Sequence, residues 1–336
     1  MQRDIYVDNL KAILIFLVVF GHAINPFVED SRLYKAVFDF VYSFHMPLFV
    51  FVSGVFCRKT TFADGLIRNS KTLLIPFLFF QLLYESIDFV IRGEPSSYTM
   101  NLQPYWILWY LWSLFIWRAA VSLLPARPLT IITATLFTLA YNCTVDSAVP
   151  FGINRTIGFF PIFLLGYLYG KPILDKARNL DTRLSTLVAL AGLSLFYLFT
   201  DFNSPVFFHS ETFAFLYHNP TTALIAQITT YTLTALFSLA ILGLTPKHSN
   251  LLSTMGKNTL FIYLWHGFFI KALVISGIAG ILFSKTAPAA SITILFLISL
   301  CTTLLLGTSL VNRYSTIMIN TFGKMLMRVK TGSTAS

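Results

Sequence analysis

Two ionisable residues in the first apolar stretch are spaced so that they share one face of a helix. Lys11 and His22 are eleven residues apart, and eleven steps of about 100° bring their side chains within roughly 20° of the same direction. Along the axis they are separated by about 16 Å.

A lysine can hold a phosphate as a point charge, and histidine is the usual general base for a hydroxyl near neutral pH. A nucleotide-bearing acyl thioester could span the two. The alternative is a snorkelling lysine and a histidine bonded to a neighbouring helix.

A second histidine is predicted at the depth of His22. His45 lies twelve residues from the cytoplasmic end of the second apolar stretch, as His22 does in the first. Two imidazoles at one level could divide the roles of base and substrate-orienting group, whereas the alternative is one structural histidine beside Pro47. Ser53, nearer the cytoplasmic end, is a further candidate for orienting the reacting groups.

A polar face is also predicted on the ninth apolar stretch, where Thr259, Tyr263 and His266 stand at i, i+4 and i+7. Tyr263 and His266 are candidates for contact with a substrate, and His266 could instead tune His22. An interhelical hydrogen bond explains such a histidine equally well. Lys271 lies farther out, where snorkelling alone would explain it.

Four basic residues, Lys59 among them, follow the second stretch, close to the start of the helix that carries Lys11. Arg58, Arg68 and Lys71 form a cluster of fixed positive charges, which would suit the phosphates of coenzyme A. Retention of positive residues on the cytoplasmic side of a membrane explains the same residues.

Aromatic residues concentrate on the outer half of the fourth stretch, which reads Pro104-Tyr-Trp-Ile-Leu-Trp109-Tyr-Leu-Trp. Trp109 could stack on the face of a sugar, although an interfacial aromatic belt predicts the same composition. Arg155, at the outer start of the sixth stretch, could bind an acidic or hydroxylated acceptor, or it could anchor the helix.

These residues are positioned by a chain whose composition requires a membrane. Of 336 residues, 56% are hydrophobic and 11% charged, and the mean hydropathy is +0.71, whereas soluble domains carry about a quarter charged residues. Ten stretches approach the length and apolarity of a membrane-spanning helix. They lie near residues 10–27, 36–57, 72–91, 104–124, 128–142, 156–174, 184–200, 221–244, 258–283 and 288–311. We therefore predict an all-α bundle of about ten transmembrane helices.

The distribution of basic residues predicts the orientation. Of the 24 Lys and Arg residues, 18 fall in one set of alternate loops and five in the other, with Lys271 inside a helix. Since positive residues stay on the cytoplasmic side, both termini are expected in the cytoplasm. One transmembrane domain is expected over residues 1–323, followed by a short cytoplasmic tail, 324–336, whose polar end is expected to be disordered.

Other ligand classes receive no support from the sequence. The net charge of +10 is spread over short loops and not over one face, so no nucleic-acid partner is expected. Cys57, Cys143 and Cys301 lack the spacing of metal ligands, so neither a metal site nor a disulfide framework is expected.

The chain resembles the membrane-bound acyltransferase 3 family, especially the branch resembling fucose 4-O-acetylases. The segments that carry the resemblance span most of the chain. They are Asp8-Asn-Leu-Lys11 through Gly21-His22, FHMPLFVFVSGVF at 44–56, Trp109-Tyr-Leu111, Phe160-Pro-Ile-Phe-Leu-Leu-Gly166 and Tyr263-Leu-Trp-His266.

The resemblance implies ten helices and transfer of an acyl group from cytoplasmic acyl-CoA, with acetyl-CoA preferred, to a carbohydrate hydroxyl at or beyond the membrane. It implies that His22 is catalytic. Lys11 matches the basic position of the family's motif, but Arg68-x-x-Lys71 replaces the usual pair of arginines. The expected setting is a bacterial inner membrane, with membrane lipids, acyl-CoA, a carbohydrate acceptor and polysaccharide-assembly proteins as candidate partners.

Two other function classes remain open at this point. A transporter or exporter of a glycan or polyol would line a path with buried polar residues and use no acyl donor. A structural or assembly subunit would tolerate the loss of His22. Donor-dependent acetyl transfer by the purified protein would separate the enzyme from both.

Overall fold

The architecture is entirely helical in the part of the chain that the computed structural model describes, namely residues 4–147, 149–199, 202–277, 280, 283 and 286–332. No strand occurs among these residues. Arg3 and Lys285, which entered the charge count, and the predicted tail residues 333–336 lie outside them.

Each of the ten predicted stretches contains a long helix. In chain order they are α1 Ile5–Ile24, α2 Arg32–Val55, α3 Ile75–Arg92, α4 Trp109–Leu123, α5 Pro128–Thr144, α6 Ile153–Ala177, α7 Thr182–Leu198, α8 Pro220–Leu244, α9 Thr259–Ile275 and α10 Pro288–Leu306. The ninth helix ends at Ile275, earlier than predicted, where Gly277 adopts a positive φ.

Seven of the helical segments described are long and apolar enough to cross a membrane, judged by length and composition. Two shorter apolar helices, α7 and α9, accompany them. The chain is therefore a polytopic membrane protein. The seven segments are Ile5–Asp30, Arg32–Val55, Phe62–Arg92, Trp106–Leu123, Pro150–Ala177, Pro220–Leu244 and Pro288–Leu306.

Short helical segments connect the long helices. The α-helical ones are Phe62–Asn69, Ser97–Met100, Phe213–Tyr217 and Leu251–Met255; the 3₁₀ segments are Asn25–Asp30, Trp106–Leu108, Pro150–Gly152 and Ser204–Phe207; and a π-helical turn spans Ser70–Leu74.

The chain continues past α10 as an eleventh helix, α11, over Ser309–Gly332. This helix includes residues 324–332 of the predicted tail. Phe322 packs edge-on against Phe79 of α3, and Trp265 of α9 donates to the Ser315 hydroxyl over 2.8 Å. These contacts hold the first part of α11, and a helix once formed extends at little further cost.

Helices α2 and α6 approach each other backbone to backbone at two glycines. A Cβ atom added at Gly54 would overlap the Phe163 carbonyl oxygen, and one added at Gly166 would overlap the Phe51 carbonyl oxygen. Small residues allow such close approach in membranes, where van der Waals packing replaces the hydrophobic effect as the driving force. This contact sets the position of α2 relative to α6.

Prolines inside these helices free backbone carbonyls that neighbouring helices then satisfy. Pro47 has no N–H to donate to the Ser43 carbonyl, which instead accepts from the Thr234 hydroxyl of α8 over 2.7 Å. Pro161 likewise frees the Ile157 carbonyl, which accepts from the Thr138 hydroxyl of α5 over 3.2 Å. Because no water is present in hydrocarbon, each threonine replaces a hydrogen bond that the helix lost.

Gly166→Leu should destabilise the protein, because the added side chain forces the α2 and α6 backbones apart. Overpacking of a close contact costs about 1–3 kcal/mol of unfolding free energy. Thermal unfolding of the protein in detergent measures the effect. Gly280→Ala is the control, since a Cβ at Gly280 meets no atom of the described residues within 4 Å. Equal stability of both variants would show that the backbone contact is not tight.

Candidate functional site

Three cavities follow one another along the helix axes. The inner cavity, of about 170 Å³, is lined by residues that include His22, Tyr42, His45 and Arg155. The Lys11 cavity, of about 360 Å³, contains Lys11, Ser53 and Arg118 and shares Tyr263 with the inner cavity. The Lys271 cavity, of about 350 Å³, contains Asp88, Arg92 and Lys271 and shares His22, Asn25 and Trp106 with the inner cavity.

Two helices line these cavities in the same order. On α1, Lys11 lies at one end and His22 near the other; on α9, Thr259 lines the Lys11 cavity and Lys271 the far one. Twelve residues of helix separate Thr259 from Lys271, which is about 18 Å. Lys11 and His22, which the sequence predicts on one face of α1, thus line different cavities of this series: Lys11 lines the Lys11 cavity, and His22 lines the inner and Lys271 cavities.

His22 lies at the junction of the inner and Lys271 cavities. Its Nδ1 is 3.3 Å from the Tyr42 hydroxyl oxygen. Its ring centroid is 5.4 Å from that of His266 and 4.9 Å from that of Trp106. Tyr42 also packs edge-on against His45, with centroids 4.6 Å apart. The structure therefore brings together the histidines that the sequence predicts at one depth.

The tautomers of His45 and His266 follow from hydrogen bonds to backbone carbonyls of their own helices. His45 Nδ1 is 2.8 Å from the Val41 carbonyl oxygen, and His266 Nδ1 is 2.6 Å from the Tyr263 carbonyl oxygen. A carbonyl can only accept, so Nδ1 carries the proton in both rings and Nε2 is left as the acceptor. His266 Nε2 is buried and has no hydrogen-bond partner among the described residues.

Arg155 brings a positive charge to the inner cavity. Its guanidinium lies 5.0 Å from the ring centroid of Trp109, which stacks on Phe159. No ion pair joins Arg155 to an acidic residue in the part of the chain that the structure describes. Trp109 thus contacts Arg155 inside the protein, so an interfacial belt alone does not account for it. The guanidinium fork remains available to an acidic or hydroxylated ligand.

Trp106 separates the inner cavity from the Lys271 cavity. Its φ of +26° is unusual for a residue with a side chain. Hydrogen bonds on both sides hold the segment: the Tyr105 N–H donates to Gln81 Oε1 over 2.8 Å, and the Tyr263 hydroxyl donates to the Ile107 carbonyl. Backbone strain of this kind persists where the surroundings enforce it.

The Lys11 cavity combines two cations with a hydroxyl pair. Lys11 pairs with Asp8 at 2.8 Å and lies over the ring of Phe56. Arg118 has a buried Nε without a hydrogen-bond partner among the described residues. Ser53 Oγ is 2.5 Å from the Tyr110 hydroxyl. Ser53 therefore shares a cavity with Lys11, although the sequence hypothesis grouped it with the histidines. Within the described chain, no group of His, Cys, Asp or Glu side chains is arranged to hold a metal ion.

The basic residues that follow α2, including Lys59, do not line the Lys11 cavity. Arg58, Arg68 and Lys71 are all exposed. Thr72 and Leu73, which directly follow Lys71, do line it. These cations therefore stand at the protein surface beside the cavity and contribute an attractive field more than fixed contacts.

Lys271 forms an ion pair and does not snorkel to the surface. Its Nζ lies 2.6 Å from Asp88 Oδ1, with 19% of the Lys271 side chain and 5% of the Asp88 side chain exposed. The Tyr105 hydroxyl donates to Asp88 Oδ2 over 2.5 Å. Nearby, burial raises the pKa of the Tyr98 phenol, while the positive charges of Arg155 and Arg92 oppose this shift.

Two tyrosines separate the Lys11 cavity from the inner cavity. Tyr263 lines both, and its ring centroid lies 5.6 Å from that of Tyr110, edge to face. Tyr110 in turn contacts Ser53. A ligand in the Lys11 cavity would therefore contact both rings.

Sequence reasoning missed three residues of the site. Arg118 contributed only to the prediction of membrane orientation. Its position on the same stretch as the aromatic run is the signal that could have indicated a place in the site. Asp88 was overlooked, although an acidic residue inside an apolar stretch is costly and indicates a partner. Tyr42 stands three residues before His45 and so shares its helix face.

The sequence is similar to a known family of proteins. The sequence profile of the acyltransferase domain matches residues 4–308. The chain is 29% identical over 202 residues to the nodulation protein NolL of Sinorhizobium fredii, covering 56% of this chain and 54% of that protein. It is 27% identical over 187 residues to the NolL of Mesorhizobium japonicum, covering 51% and 49%. The chain thus spans about half the length of these relatives. No solved structure matches significantly.

His209 anchors the loop that covers the inner cavity. Phe207 and Phe208 of this loop line the cavity, and the His209 ring packs on Phe159 and Tyr231 with centroids 4.7 and 5.7 Å apart. The side chain is 3% exposed. Burial, with a smaller contribution from the charge of Arg155, lowers the pKa of His209 to about 3.

The protein should therefore lose stability in acid through His209. Between pH 7 and pH 5 the unfolded histidine takes up a proton and the folded one does not, which lowers the unfolding free energy by about 2 kcal/mol. His209→Gln should lose this part of the pH dependence. Unfolding in detergent at both pH values measures it. His248→Gln, at an exposed site, should keep the wild-type dependence; an unchanged dependence in His209→Gln would contradict the assignment.

Proposed function

Because the chain belongs to the membrane-bound acyltransferase 3 family, we propose that it is an O-acetyltransferase that moves an acetyl group from cytoplasmic acetyl-CoA to a hydroxyl of a cell-envelope carbohydrate. The observation that carries the proposal is the position of His22 in the inner cavity, which shares lining residues with two larger cavities nearer the opposite ends of the helices. One cavity holds cations suited to a nucleotide, and the other offers a separate approach for an acceptor.

The proposal includes the topology that the basic residues predict. Ten helices cross the inner membrane of a bacterium, both termini are cytoplasmic, and the Lys11 cavity faces the cytoplasm. Lys11 and Arg118 hold phosphate groups of the donor, and the exposed Arg58, Arg68 and Lys71 attract it. The separation of about 16 Å between Lys11 and His22 along α1 matches the length of a pantetheine arm, which carries the thioester past Tyr110 and Tyr263.

The chemistry requires one proton acceptor and one group to hold developing charge. His22 takes the proton of the acceptor hydroxyl as its oxygen attacks the thioester carbonyl carbon. The carbon–sulfur bond breaks, and the sulfur leaves as coenzyme A thiol with the proton that His22 held. The acceptor ester and the free thiol account for all atoms. Arg155, in the same cavity, is placed to stabilise the negative charge on the carbonyl oxygen.

The other histidines support His22 in this proposal. The Tyr42 oxygen accepts from Nδ1–H of His22, which leaves Nε2 as the base. The unpartnered Nε2 of His266 presents a lone pair beside the His22 ring, and it favours the protonated state that forms during the reaction. His45, with Nε2 also free to accept, orients the hydroxyl.

His22→Ala should lower the rate of acetyl transfer by at least about a hundredfold, because general base catalysis contributes that much or more. Transfer from labelled acetyl-CoA into cell-envelope glycans is measured in membranes that contain equal amounts of each variant. His248→Ala is the matched control, since His248 is exposed and lines none of the three cavities.

Equal labelling by wild type and His22→Ala would remove His22 from the mechanism. Labelling by neither would favour a glycan transporter or a structural subunit. The three stacked cavities are the feature that a transporter would share with the enzyme, and only donor-dependent transfer separates them.

Lys11→Met and Arg118→Met should each raise the KM for acetyl-CoA about tenfold, because each removes a charge-assisted hydrogen bond from a partly buried site. Arg68→Met should change it less than about threefold, since exposed charges are screened. Steady-state kinetics at varied acetyl-CoA concentration give these values. Arg127→Met, exposed and outside the cavity, is the control. A larger effect of Arg68 than of Arg118 would place the phosphates outside the Lys11 cavity.

A further inference from the structure

The Lys271 cavity contains charged groups that the chemistry at His22 does not need. It opens at the ends of α3 and α9, away from Lys11, and it reaches His22 past Trp106. An ion pair that only joined two helices would need no cavity beside it. The kind of ligand that fits this cavity follows from which polar groups of the cavity already have hydrogen-bond partners in the protein.

Both carboxylates near this cavity are occupied by donors of the protein. Asp88 accepts from Lys271 through Oδ1 and from the Tyr105 hydroxyl through Oδ2. Glu85 accepts from the Ser96 hydroxyl over 2.6 Å and from the Ser96 N–H over 3.3 Å. Neither carboxylate is left free to recognise hydroxyl groups of a ligand.

The cations, in contrast, keep N–H groups available. Lys271 makes one hydrogen bond among the described residues, to Asp88, so two of its three hydrogens are free. No hydrogen bond or ion pair of Arg92 or Arg155 occurs in the described chain, although each guanidinium has five donors. Among the residues that line the cavity, Asp88 is counted against Lys271 and Arg92, so the lining has a net positive charge of one.

A donor-rich, positively charged cavity suits a ligand with an oxyanion. We propose that the Lys271 cavity binds the acceptor as an anionic saccharide, whose carboxylate or phosphate group is held by Lys271 and Arg92. This inference rests on the proposed function and adds the class of acceptor to it. Guanidinium and ammonium groups form their strongest hydrogen bonds with oxyanions. Trp106 offers its ring to the sugar, and the adjacent hydroxyl faces His22.

The inference is tested by ligand binding without a donor, so that it does not depend on turnover. The protein in lipid nanodiscs is titrated with methyl galacturonoside, galactose 1-phosphate and methyl galactoside. The Kd of each is obtained from the concentration dependence of thermal stabilisation. At least one anionic sugar should bind about tenfold tighter than the neutral one. A preference for the uronate indicates a sugar carboxylate in the natural acceptor, and a preference for the phosphate indicates a sugar phosphate.

Arg92→Gln and the double variant Asp88→Asn with Lys271→Met should reduce this preference to within about twofold, because they remove the positive groups. Arg92 is exposed, so its replacement leaves packing intact. The double variant Asp39→Asn with Lys35→Met is the matched control: this pair, at 3.0 Å with Asp39 buried, lines none of the three cavities, and the variant should keep the preference.

Equal binding of neutral and anionic sugars, no binding of any of them, or a preference that survives both changes would overturn the inference. Acetyl transfer to the neutral sugar alone would leave the proposed function standing and remove the anionic acceptor. Selective binding of an anionic sugar without acetyl transfer from acetyl-CoA would keep the anionic ligand and remove the proposed function.

Discussion

A polar side chain surrounded by hydrocarbon has to find its hydrogen-bond partner within the protein, and the arrangement of the site depends on this constraint. His45 and His266 satisfy it by donating from Nδ1 to carbonyls of their own helices. The same bonds leave Nε2 as an acceptor in each ring. The protonation pattern around His22 is thus set by the need to bury imidazoles in a helix bundle, before any substrate binds.

The constraint also shapes the scaffold around these histidines. Pro47 lies two residues after His45, and the carbonyl that it frees is bonded to Thr234 of α8. The glycine contact between α2 and α6 sets His45 relative to Arg155 and Phe159. A histidine, a cation and an aromatic wall from two different helices therefore meet in one cavity because the backbones touch.

The sequence predicted those features that depend on one helix at a time. The spacing of Lys11 and His22 on α1, and of Tyr263 and His266 on α9, follows from helical periodicity alone. Each of the ten apolar stretches contains a helix, as its length and apolarity predict. The sequence could not show which helices face each other, so Asp88 of α3 and Lys271 of α9 were not recognised as partners. The pairing of Lys35 with Asp39, in contrast, lies within one helix, since it is an i, i+4 contact in α2.

The three cavities differ in size in a way that bears on how two substrates could meet. The inner cavity, of about 170 Å³, has less than half the volume of either neighbour. In the proposed reaction, only the thioester and one hydroxyl need to enter it, while the nucleotide and the saccharide stay in the larger cavities. This division accounts for the placement of the cations, because Lys11 and Arg118 on one side and Lys271 and Arg92 on the other lie away from His22. In this proposal the groups that bind are separated from the group that reacts, and Tyr263 and Trp106 mark the two boundaries.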